Sequence, residues 1–443
     1  MVEVKGTPLI LPWLALAAGC TMPSAGSSPA IDQTAQPAIA LAAWQPGYLD
    51  IHHIQTGRGN AAFFVFPDGT TMLVDAGALQ DDWDKLDRYR PLKLAPAMPD
   101  RTRRPGEWIA DYIAQFAPAD ARGIDYALIT HFHSDHFGFV DPQAPRSGQG
   151  DWQLSGITDV AERWPITTMI DRGFPDYDFP LPYGENADAS LANYLEFVRS
   201  TVAEGQMTAE GFRVGRDDQI RCMKDKAACA AFSVRNVAAN GMVWSGAGSA
   251  AERFLEAEQI TDGRGGFNEN PLSTVIKVDY GDFDYVTGGD LTGVNEPDQP
   301  AWFAAERRIA PVIGEVDAMT LNHHGNRDAT SAAWLGTLRP RVIVQQTWVS
   351  DHPGGEVVAR MNSRKIWPGD RDIFATYVHP ETQIAIGPWL TRGYQSLRGH
   401  VVIRVQPGGA IYKVFVLNER DPKRRIRSSW GPYHSNGDTS PME

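Results

Sequence analysis

Early in the chain, short apolar runs alternate with turn residues. Residues 48–54, 61–66 and 71–74 are such runs, and Pro67-Asp68-Gly69 separates the last two. The pattern predicts three strands in a meander. Residues 104–116 then carry Trp108, Ile109, Tyr112, Ile113 and Phe116 at helical spacing, and the apolar strand 126–130 follows. That strand delivers His131 onto a loop, and strand ends are where α/β proteins place their chemistry. From 141 to 267 the periodicity loosens, with a strand at 167–170 and a helix at 191–202; so long an elaboration is expected to be an insertion or lid that shapes a substrate site. Strands return at 273–280, 283–287, 318–322 and 342–346, with helices at 332–338 and 356–361. Runs 401–405 and 411–417, joined through Pro407-Gly408-Gly409, predict a closing hairpin. The sum is two similar halves around an interrupted middle, a layered α/β domain.

Composition changes this picture mainly at the ends. Of 443 residues, 42% are hydrophobic and 21% charged, the balance of a folded chain. A formal charge of −13 argues against dedicated nucleic-acid binding, which needs clustered Lys and Arg. A phosphodiester at a metal site stays open, because there the metal supplies the positive charge. Residues 8–18 are apolar, and Leu16-Ala17-Ala18-Gly19-Cys20 resembles a bacterial lipoprotein signal ending at a lipidated Cys, although Glu3 stands where positive charge is usual. The expected organisation is a signal peptide at 1–20, a flexible tether at 21–44, one large domain at 45–420 and a tail at 421–443. The expected location is the periplasm or cell envelope, with a lipid anchor through Cys20. Cys222 and Cys229 are then either a disulfide or two free thiols.

His131, His133 and His136 with Asp135 form a dense cluster directly after a strand. Neutral imidazole and carboxylate suit zinc and related divalent ions, and one loop holds all four. A lone His has bland readings, and His52 and His53, inside the first strand, are expected to be structural. A cluster of this density does not.

The run fits the His-x-His-x-Asp-His signature and resembles the metallo-β-lactamase superfamily. The resemblance implies a four-layer αββα sandwich with a long insertion in its middle. It implies that Asp75, in Leu73-Val74-Asp75-Ala76-Gly77, buttresses the histidine loop, and that Asp290, in Thr287-Gly288-Gly289-Asp290, bridges two metals. It implies one ligand of the second metal from Asn322-His323-His324-Gly325; spacing leaves His323 and His324 equal. Many members carry a further His before the bridging Asp, whereas here His136 is followed next by His323. The site of His131, His133 and Asp290 is thus one ligand short, with Asn268, Asn270 or water to complete it. Within the superfamily, Gly57-Arg58-Gly59-Asn60-Ala61, Asn270-Pro271-Leu272-Ser273-Thr274-Val275, His323-His324-Gly325 and Asp351-His352-Pro353 resemble the hydrolase domain of bacterial competence (DNA-uptake) channels. His352 is expected to orient a ligand or face substrate. The aromatic stretch Phe174, Tyr177, Phe179 and Tyr183 either floors a substrate pocket or packs the insertion upon itself.

The implied activity is hydrolysis by metal-activated hydroxide, with Asp135 and Asp290 as catalytic carboxylates. The cofactors are two divalent ions, zinc first, with manganese or iron(II) as alternatives and one site weak. A phosphodiester or another ester leads, from a small-molecule or cell-envelope substrate; a β-lactam or lactone is the alternative. A non-catalytic, metal-holding envelope lipoprotein is the reading from a different class. No obligate protein partner is evident.

Overall fold

The computed structural model describes residues 39–82, 92–183, 187–260, 267–295 and 299–436. The expected signal peptide, Cys20 and most of the expected tether lie outside the described residues.

The predicted meander forms: β1 (Leu49–His53), β2 (Ala62–Val65) and β3 (Thr71–Val74) pair antiparallel. Helix α1 (Pro105–Phe116) starts where Pro105 costs no hydrogen bond and the Glu107 carboxylate accepts the Arg104 N–H at 2.8 Å. It buries Ile109, Tyr112, Ile113 and Phe116. Strand β4 (Ile124–Ile129) runs parallel to β3, α2 (Ser134–Phe137) and α3 (Ile157–Arg163) follow, and β5 (Ile166–Asp171) lies parallel to β4. After α4 (Ala189–Ala203), β6 (Thr208–Gly211) closes that edge.

The second sheet starts with β7 (Phe232–Ala239), β8 (Met242–Trp244) and β9 (Ala251–Arg253), then α5 (Ala257–Ile260). The hairpin of β10 (Val275–Tyr280) and β11 (Phe283–Thr287) leads to parallel crossovers. These are α6 (Glu306–Ile313) to β12 (Ala318–Thr320), α7 (Ala332–Leu338) to β13 (Val342–Gln345), and α8 (Gly355–Asn362) to β14 (Asp372–Ala375). Helices α9 (Pro380–Ile386) and α10 (Pro388–Gly393) precede β15 (Tyr394–Ser396). The chain then returns to the first sheet through β16 (His400–Val405), β17 (Ile411–Leu417) and β18 (Ile426–His434). Among the described residues each sheet has nine strands, in the orders β18-β17-β16-β1-β2-β3-β4-β5-β6 and β15-β14-β13-β12-β11-β10-β7-β8-β9.

Three apolar layers make this an αββα sandwich. Alternate residues of one strand face opposite ways: Phe64, Met72 and Leu128 meet Val278, Tyr285 and Val344 between the sheets. Phe63, Leu73, Ala127 and Met169 pack outward under α1, α3 and α4. On the far side, Val286, Met319, Ile343 and Ile373 lie under α6, α7, α8 and α10.

Two expectations meet a different structure. Much of 141–267, expected as an insertion or lid, is woven into the sandwich: β5 and β6 extend the first sheet, β7, β8 and β9 the second, and α3 and α4 an outer layer. Its strands are short or carry charged residues, so their periodicity is weak. Part of 421–443, expected as a tail, is β18, with Tyr433 stacked on Tyr412 and Trp430 edge-on to Phe374.

Candidate metal centre

His131 leaves the C-terminal end of β4 and α2 begins at Ser134, so His131 to His136 form one tight loop. The Asn60 N–H donates to the Asp135 carbonyl, and the Ala76 N–H to that of His136, each at 2.7 Å. A Cβ on Gly77 would lie 1.8 Å from the Asp135 carbonyl oxygen, and one on Gly59 2.5 Å from it, so neither position has room for a side chain. Asp290 follows β11 and the His323-His324 pair follows β12. The two sheets thus bring their strand ends together at one rim.

Two groups of candidate ligands result. In one, His136 Nε2 is 3.1 Å from Asp290 Oδ1 and 3.7 Å from Asp135 Oδ2. His324 Nε2 is 3.1 Å from Asp135 Oδ2, 3.3 Å from Asp290 Oδ1 and 3.3 Å from His136 Nε2. Four ligands at about 2.1 Å from a tetrahedral zinc stand about 3.4 Å apart, so these atoms already have the spacing of such a site. In the other group, His131 Nε2 is 3.1 Å from His133 Nδ1 and 3.7 Å from Asp290 Oδ2. Asp290 turns one oxygen to each group, and its buried Oδ1 accepts no aligned hydrogen bond. Both features fit a carboxylate that bridges two cations.

His323 and His324 diverge because both take left-handed backbone angles, φ 46° and 55°, rare for side chains with a Cβ. His324 enters the four-residue group. His323 turns its Nε2 toward Asp290 Oδ2, at 3.7 Å.

Each of these imidazoles but His133 is held through its other nitrogen, as metal-binding histidines commonly are. Asp75 Oδ2 holds His136 Nδ1 at 2.7 Å, the Gln346 carbonyl His324 Nδ1 at 3.0 Å, Asp328 Oδ1 His323 Nδ1 at 2.7 Å, and Thr130 Oγ1 His131 Nδ1 at 3.2 Å. Asp75 also accepts from the Thr130 N–H and hydroxyl and from Asn60 Nδ2, behind the loop and outside both groups.

Burial would raise both central carboxylates, but the imidazoles outweigh it: Asp135 is held down at about 2 and Asp290 well below the usual range. Burial would likewise strip protons from the imidazoles. Asp290, Asp75 and Asp135 instead hold His136 well above its ordinary value, and Asp290 and Asp135 hold His324 up at about 9. His323 is raised against burial by Asp290 and Asp328, whereas burial and neighbouring His136 push His131 well down. The carboxylates favour positive charge here, whether imidazolium or metal cation carries it.

Asn270 places Nδ2 3.2 Å from His323 Nε2 and leaves its buried Oδ1 without a partner. Asn268 takes no place in the site; its Oδ1 accepts the Asn270 N–H at 3.0 Å. His352 stacks on His324 with ring centroids 5.5 Å apart and lines the cavity. His52 and His53 are buried, bonded to Tyr112 and Tyr285. Of the aromatic stretch, Tyr177 and Tyr183 pack behind the histidine loop against Phe132.

Several supporting residues carry no local sequence signal. Glu269 accepts the N–H of Phe132, between the two histidines, at 2.8 Å. Arg172 holds Glu269 by hydrogen bonds of 2.7 and 2.6 Å, and Tyr183 donates to it at 2.6 Å. Glu306 accepts from Asn322 Nδ2, the Thr330 N–H and the Ser331 N–H, each at 2.7 Å, tying down the loop before α7. Asp328, five residues past His323, could have been sought as a carboxylate close to a ligand; Glu269 and Glu306 could not.

A cavity of about 530 Å³ opens over the site. Its wall combines apolar Leu79, Leu92, Phe139 and Trp348 with Asp188 and Asp351, and no Lys or Arg lines it among the described residues.

The sequence model of the Metallo-beta-lactamase superfamily matches residues 55–146. Among solved structures, Zn(2+)-bound PqqB from Methylobacterium extorquens is similar at 11% identity and a TM-score of 0.34, covering 80% of this chain and 99% of that one. Unliganded yeast PDE1 is similar at 10% identity and a TM-score of 0.33, covering 81% of this chain and 99% of that one. No curated protein matches the chain.

Proposed function

We propose that this chain is a metal-dependent hydrolase of the metallo-β-lactamase superfamily, acting on a small phosphodiester or other ester. The observation that carries the reading is Asp290, whose two oxygens each face a separate cluster of histidines. Divalent cations held there supply Lewis acidity and lower the pKa of coordinated water to about 7. The chain does the positioning. His131, His133, Asp135 and His136 come from the first sheet and Asp290 and His324 from the second, so the two ligand sets face each other across the rim. Asp135, 13% exposed toward the cavity, orients the attacking water. Trp348 and His352 pack beside His324 and limit solvent there. Asp75 holds Nδ1 of His136 at 2.7 Å and so aims Nε2 inward, the nitrogen that would give its lone pair to a bound cation.

A wall with apolar and acidic residues supports a compact substrate over a long polyanion. The likeness to competence-channel hydrolase domains, carried by 57–61, 270–275 and 323–325, is kept in this reading as an architecture without DNA uptake. Export to the periplasm or envelope belongs to the same proposal, and the Cys222–Cys229 disulfide supports it, since such bonds persist in oxidising compartments.

A panel of a nitrophenyl phosphodiester, a nitrophenyl carboxylate ester and a β-lactam, assayed with chelation and metal return, tests the reading. Turnover of one of the first two should fall roughly 100-fold or more on chelation and in the His131→Ala, His133→Ala double variant. Undiminished turnover by metal-free protein overturns the reading. Metal without turnover of any ester would favour a metal-holding binding protein, and turnover of the β-lactam alone the lactamase alternative.

A further inference from the structure

Resting on the metal-dependent reading above, we propose that His323 is the ligand the first metal position otherwise lacks, so that two adjacent histidines serve two different metals. The sequence offers no His between His136 and His323, and His131, His133 and Asp290 supply only three donors. His323 is built as a donor. Its Nδ1 is held by Asp328 at 2.7 Å, the same kind of carboxylate prop that Asp75 gives His136. In the neutral ring that bond places the proton on Nδ1 and leaves the lone pair on Nε2, where Asn270 Nδ2 stands 3.2 Å away. Nε2 stands 3.7 Å from Asp290 Oδ2, as far as His131 Nε2 stands from that oxygen. It lies outside the compact group of His131, His133 and Asp290, so binding requires the ring to turn toward them.

The left-handed backbone at both residues explains how neighbours reach different positions. With φ of 46° and 55°, the chain coils tightly enough that His324 meets Asp290 Oδ1 and His323 meets Oδ2. Such backbone angles are strained in a residue with a Cβ and persist only where the surroundings hold them. Glu306, gripping Asn322 and the Thr330 and Ser331 N–H groups, supplies part of that hold.

Equilibrium dialysis against zinc, with metal analysis, tests the assignment on wild-type, His323→Ala and Asp328→Ala protein. The wild type should hold two ions. His323→Ala should keep one at wild-type tightness and bind the other roughly 100-fold more weakly or worse, while Asp328→Ala, which leaves the imidazole unpropped, should weaken the same ion by about 10-fold. The retained ion shows that the variants fold; should His323→Ala not fold, Asp328→Ala decides. Two ions held with unchanged affinity in His323→Ala overturn the assignment and leave the hydrolase reading standing. So does a wild type that holds one ion and a variant that matches it. A wild type that binds no zinc sinks the hydrolase reading itself.

Discussion

Arg172 and Glu269 show how a site depends on residues that do not line its cavity. Both are buried, and their pairing fixes the Phe132 N–H between His131 and His133. The guanidinium also lies 4.9 Å from the Phe132 ring centroid. Removing one partner strands the other charge in the interior, so Arg172→Met should cost about 3–5 kcal/mol of unfolding free energy. Urea denaturation measures this, and a loss under about 1 kcal/mol would mean the pair is dispensable. The histidine run was legible in the sequence because three imidazoles and a carboxylate in six residues have no structural explanation. Arg172, Glu269 and Glu306 were not, because a buried carboxylate acquires its role only from whichever N–H groups the tertiary fold brings to it. The choice between His323 and His324 was illegible for a similar reason: it is made by backbone angles that residue types do not announce.

At the scale of elements, strands with clean alternation were legible and edge strands were not. The meander and the β16–β17 hairpin are flanked by turn residues and carry short apolar runs, and the crossover helices α7 and α8 carry apolar residues at helical spacing. Strand β18 instead reads Ile426 to His434 with polar residues throughout, because a strand at a sheet's edge needs only one side covered. Its contribution still shows in Tyr433, which stacks on Tyr412 at 5.1 Å and donates its hydroxyl to Asp372 at 2.7 Å. Ending the chain before Ile426 should therefore lower stability by about 3 kcal/mol, from the loss of the buried Tyr433 and half-buried Trp430 side chains. Strand β18 lies at the sheet's edge and none of its residues lines the cavity over the candidate ligands, so zinc content should be unchanged. Thermal unfolding with metal analysis separates the two readouts, and a truncated chain as stable as the full one would return β18 to the status of a tail.

Across the whole molecule, buried histidines set the response to acid. Burial holds His53 down at about 3, neutral between the Val401 carbonyl and the Tyr285 hydroxyl. His352 is pushed down to about 4, mainly by burial, and His400 well below its ordinary value. The unfolded chain takes up protons near pH 6.5 that the folded chain refuses. The stability that His53, His352 and His400 contribute is thus fully present above about pH 6.5 and is lost as pH falls toward their lowered folded values, at about 1.4 kcal/mol per pH unit for each. His53→Gln keeps a donor and an acceptor and should flatten the dependence of unfolding free energy on pH between about 6 and 4 by up to that amount. An unchanged slope would show that His53 does not govern acid sensitivity.

The split origin of the candidate ligands gives the cavity a property neither sheet has alone. His131, His133, Asp135 and His136 ride on one sheet and Asp290, His323 and His324 on the other, so an ion bound there acts as a rivet between the halves. Anything that pries the sheets apart must also surrender the ion, and anything that removes the ion loosens the seam first at the rim beneath the cavity.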